Sequence, residues 1–90
     1  MTEQEAEELS VVLLKVVGLL DQTAAFVRDK DSTENWEKYR RAVGKAMGEI
    51  YLEMEEPLWE RFPHLKPKQL GGSYEIDPQI YEPNFYVPEQ

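Results

Sequence analysis

Between residues 9 and 27 the chain offers more apolar surface than one partner helix covers. Leu9, Leu13, Val16, Leu20, Thr23 and Val27 recur at steps of four and three, a heptad-like seam. Val12, Leu19 and Phe26 form a second line every seven residues beside it, and Val11, Leu14 and Val17 carry the cover further round. A helix packed on a single neighbour needs only a narrow stripe. The sequence therefore predicts a long helix too apolar for a two-helix monomer. With 90 residues there is one domain at most, and with no cysteine there is no disulfide to compensate for a small core. The burden falls on helix packing or on a second chain.

The start of this helix is marked by Thr2-Glu3-Gln4-Glu5, the T-x-x-E form of a capping box, and by early glutamates at the positive end of the helix dipole. Glu3, Glu5, Glu7 and Glu8 have the wrong sign for the leading segment of a signal peptide. The apolar run Val11–Leu20 is broken by Lys15 and is too short to span a bilayer. It reads as a helix buried in protein. Arg28-Asp29-Lys30-Asp31-Ser32-Thr33 is a polar break in which Asp31, Ser32 or Thr33 caps a second helix. There Trp36, Val43 and Ile50 repeat every seven residues, with Tyr39, Ala46, Met47 and Met54 alongside. Pro57 is expected to kink or end that helix, or to open a short turn over 58–62. Pro63 and Pro67 lead out of helical geometry, and Gly71-Gly72 marks a turn or hinge.

The fold class expected is all-α: helices near 3–28 and 34–55, about 39 and 33 Å long, folded back as an antiparallel hairpin. Residues 1–70 form the helical hairpin and residues 71–90 a strap within the same domain. Pivoting the pair at Asp31 sets Gly18 near Gly44, which with Gly48 forms G-x-x-x-G. Glycine costs about 1 kcal/mol in a helix interior, so the three together suggest close backbone approach. Charge points to assembly. The first half of helix 2 holds Lys38, Arg40, Arg41 and Lys45, whereas its second half holds Glu49, Glu53, Glu55, Glu56 and Glu60. A hairpin sets that acidic end beside the acidic start of helix 1. An antiparallel two-fold homodimer, a four-helix bundle built on Leu9, Leu13, Val16 and Leu20, relieves the repulsion and covers the surplus apolar surface.

Chemistry is sparse. Net charge is −8, which disfavours nucleic acid and anionic membranes as partners and suits a cytoplasmic protein. Glu49, Glu53, Glu56 and Glu60 share a face at steps of four, three and four. Such a face can hold Mg²⁺ or Mn²⁺, which keeps a metal-dependent phosphohydrolase as the alternative function. His64 is the only histidine and has no nucleophile motif to serve. No cofactor is expected.

The tail holds two matching pentads, Asp77-Pro78-Gln79-Ile80-Tyr81 and Glu82-Pro83-Asn84-Phe85-Tyr86, each suited to a type I turn. It is too rich in aromatics for a disordered segment. It is either a strap over the helices or a motif held out for another protein, with Tyr81, Phe85 and Tyr86 the candidate contacts. The function expected is a small non-catalytic protein-binding module of accessory, immunity or inhibitor type. Its second candidate surface is the Glu49, Glu53, Glu56 and Glu60 face.

Overall fold

The computed structural model describes residues 1–89. Helix α1 (Glu3–Lys30) starts at a complete capping box: the Glu5 N–H donates to Thr2 Oγ1 at 3.1 Å and the Thr2 N–H to Glu5 Oε1 at 2.7 Å. It runs two residues further than the periodicity suggested, so only Asp31 and Ser32 connect it to α2 (Thr33–Ile50). Ser32 caps α2 by accepting from the Asn35 N–H at 3.1 Å. Twenty-eight residues of α-helix span about 42 Å, and the molecule's long axis is 45 Å. The hairpin is present, and the described residues contain no strand, only one bridge between Pro67 and Tyr74.

The second helix does not end before Pro57. Proline lacks an N–H, and its ring presses on the carbonyl four residues back, here that of Glu53. Ahead of it the chain widens into a π-helical turn, Tyr51–Glu55, closed by the Glu56 N–H on the Tyr51 carbonyl. The helix then continues as α3 (Glu56–Arg61). A π turn adds one residue to the helix and so shifts the phase of everything after it. Met54, expected to face inward, is 52% exposed, and Glu55 takes the inward place at 4%.

The core lies at the open end of the hairpin. Ala6 and Leu14 of α1 meet Leu58 and Trp59 of α3 and Leu65 beyond it, with Leu13, Tyr51, Phe62, Tyr74, Ile76 and Ile80 packed around them. At its centre the Trp59 indole N–H donates to Ser10 Oγ at 3.0 Å, and both residues are buried. Near the connection, the Tyr39 hydroxyl donates to Thr23 Oγ1 at 2.9 Å and fixes α2 against α1. Residues 66–75 fold back on themselves. The Lys68 N–H bonds to the Tyr74 carbonyl and the Tyr74 N–H to that of Lys66, while Gly71 takes φ +92°. A Cβ on Gly72 would collide with the Lys66 carbonyl, which accounts for the second glycine.

The expected approach of Gly18 to Gly44 is not observed. Gly44 and Gly48 face open space, whereas Gly18 receives the ring of Tyr81. Nor is α1 buried within its own chain. Only 11% of its most apolar 18 residues are, and by length and composition the helix is long and apolar enough to cross a membrane.

Candidate functional site: the docked strap and the open face of the long helix

From Tyr74 to Tyr86 the chain runs parallel to α1, from its first turns to its last. The Tyr74 hydroxyl donates to Glu7 Oε2 at 2.7 Å, which pushes the phenol up to about 12. The Tyr81 ring lies on Gly18, so close that a Cβ there would sit 2.7 Å from ring carbons. Gln22 receives the next stretch with both ends of its amide. Its Nε2 donates to Asn84 Oδ1 at 2.9 Å, and its Oε1 accepts from the N–H groups of Phe85 and Tyr86 at 2.6 and 3.0 Å. Phe26 holds Phe85 and Tyr86 with ring centroids 5.2 and 5.3 Å away. Last, the Tyr86 hydroxyl donates to Asp29 Oδ2 at 2.6 Å. The hydrogen bonds from Arg28 and Tyr86 hold the Asp29 carboxyl below its ordinary range.

The path from Glu7 to Asp29 covers 22 residues of helix, about 33 Å. Tyr74 to Tyr86 supplies 12 steps. A 3-10 turn over Pro78–Tyr81 uses four of them at about 2.0 Å each, and extended chain supplies the rest at about 3.3 Å, roughly 34 Å together. The strap therefore has little slack, and its prolines suit that extended path. The two pentads do not adopt one conformation. Asp77 caps the first as a 3-10 turn by accepting from the Gln79 N–H at 2.9 Å, but the Glu82–Pro83 bond is cis and no helical turn follows.

What the strap leaves open is a second feature. Leu9, Val12, Val16 and Leu19 are 40, 53, 39 and 43% exposed, and Phe26 continues their line at 37%. They follow steps of three and four and so share one face of α1, running between α2 and the strap. Of the four residues expected at a dimer contact, Leu13 packs against the core of its own chain, Leu20 is half-buried, and Leu9 and Val16 lie on the open face. Phe85, at 55% exposure, widens this face at its Phe26 end.

Comparison with protein-family models, with curated proteins and with solved structures gives no match.

The glutamate face does not converge. Glu49, Glu53 and Glu60 are exposed and Glu56 is half-buried, and among the described residues no three His, Asp or Glu side chains come together as a cation site. His64 is exposed, its Nε2 4.0 Å from Glu3. The carboxylate that stands out is Glu55, which lies off the spacing of Glu49, Glu53, Glu56 and Glu60. Its Oε2 is buried with no hydrogen-bond partner, and desolvation raises its pKa above the ordinary 4.5. Burial also raises the pKa of Tyr81, and the nearby Glu55 charge adds to it. Pro57 was the available signal, since a proline inside a continuing helix asks for a widened turn before it.

A carboxyl whose folded pKa is raised binds its proton more tightly in the folded state. Its contribution to stability is fully present below the unfolded pKa and is lost as pH rises through the folded value. Glu55→Gln removes the buried charge while keeping a polar group of the same shape, and is expected to be more stable than wild type at pH 7. The gain should vanish below pH 4. Urea unfolding between pH 3.5 and 8 checks both, and equal curves for the two proteins would refute the burial argument.

Proposed function

We propose that this chain is a non-catalytic binding module whose working surface is the open face of α1. The observation that carries the reading is the exposed line of Leu9, Val12, Val16 and Leu19. A contiguous apolar strip on a small, highly charged chain marks a surface that another macromolecule covers. The strap supports the same reading from the other side. It covers Gly18, Gln22 and part of Phe26 but leaves Leu9, Val12, Val16 and Leu19 exposed, so the chain has apolar side chains available and does not use them here. The net charge of −8 favours a protein partner over a polyanionic one.

A photo-activated cross-linking residue placed at Val12 in the native host tests this. The expected result is a protein adduct that forms at position 12 and not at the exposed control position Lys38. Adducts to lipid, or equal yields at both positions, would overturn the reading.

A further inference from the structure

We infer that the occupant of the open face is a second copy of this chain, laid antiparallel across a two-fold axis between Val16 and Leu19. The inference rests on the binding-face reading above and names its partner. Three observations point to it.

The first is area. The protein exposes 6405 Å² for a mass of 10.5 kDa. A monomer of that mass exposes about 5400 Å². The excess of roughly 1000 Å² is the scale of the ~800 Å² that each partner gives up in a standard interface.

The second is self-complementarity, which a two-fold contact demands because one patch must serve both sides. Reading the face from its centre outwards, the steps of three and four are the same in both directions. Antiparallel pairing therefore sets Val16 opposite Leu19 of the other copy and Leu9 opposite Phe26. Val12 meets Thr23, whose hydroxyl is already satisfied within its own chain by Tyr39 and by the Leu20 carbonyl.

The third is charge. The same steps place Glu5 one position beyond Leu9 and Lys30 one position beyond Phe26, both exposed. Antiparallel copies bring Glu5 against Lys30 at each end, whereas parallel copies set like against like. Lys30 already lies over the Tyr86 ring, 5.7 Å from its centroid, so the strap helps hold the basic end. The pair chooses orientation more than it adds affinity.

Purified protein tests this directly. Sedimentation is expected to give twice the 10.5 kDa chain mass, and Val16→Glu, at a position 39% exposed in the single chain, a monomer of unchanged helicity. Orientation is read by disulfides, since the chain has no cysteine. An oxidised mixture of Leu9→Cys and Phe26→Cys should cross-link, whereas Leu9→Cys alone should not, because its two copies would stand about 25 Å apart. Bridged Cα atoms lie within about 7 Å. A wild type that stays monomeric at high concentration, or Leu9→Cys that cross-links to itself, overturns the inference. The wider reading is judged separately: adducts at Val12 to a different protein leave it standing while the second copy is excluded.

Discussion

Truncation after Gly72 is expected to lower the melting temperature by on the order of 20 °C, or to leave no cooperative transition. Four large side chains, Tyr74, Ile76, Ile80 and Tyr81, are removed from half-buried positions. A fully buried large side chain contributes about 1.5–3 kcal/mol, so four at half that value amount to about 3–6 kcal/mol. Native stability is about 5–15 kcal/mol in total, and each kcal/mol moves the midpoint of a domain this size by about 4–8 °C. Two point variants separate docking from bulk loss. Gly18→Ala places a methyl group into the Tyr81 ring and should melt lower than wild type. Gly44→Ala meets nothing within 4 Å and should melt higher, because alanine favours the helix by about 1 kcal/mol. Equal shifts for the two glycines would mean that Tyr81 does not rest on Gly18.

The other large effect is expected at Trp59. Its replacement by alanine should cost about 3–5 kcal/mol, the usual range for emptying a buried aromatic site. The residue is 3% exposed and packs from α3 into the cluster with Ala6 and Leu14 of α1 and Leu65 of the turn that follows. Trp59→Phe keeps much of the ring but leaves Ser10, 1% exposed, without its donor. That variant should lose about 1–3 kcal/mol. Combining it with Ser10→Ala should recover part of the loss, the non-additivity that residues in direct contact display. Chemical denaturation of the four variants measures the coupling, and strict additivity would break the claimed hydrogen bond.

The helical pair was legible because α1 and α2 carry strong 3.6-residue periodicity and clear caps at Thr2 and Ser32. The tail's aromatic content was legible as something other than disorder. The π turn was not, because Pro57 is visible as a helix breaker while the way around it depends on the carbonyl of Glu53 and on what the next turn must bury. The extra residue of that turn shifts the helical phase, so Met54 faces outward and Glu55 inward. The three helix glycines look alike in sequence. Which of them receives a side chain depends on the path of residues more than sixty positions away. Gln22 was equally silent: an amide on an apolar helix carries no pattern until a backbone arrives beside it.

The path of the strap also sets a timetable. Its contacts join Glu7 to Tyr74 and Asp29 to Tyr86, 67 and 57 residues apart. During synthesis at about 5–20 residues per second, α1 is complete some 3–11 s before Tyr86 has been added. For that interval the helix exists without the segment that later covers one of its faces. Arrival of the strap closes one side of the helix and ends that period, while Leu9, Val12, Val16 and Leu19 stay exposed.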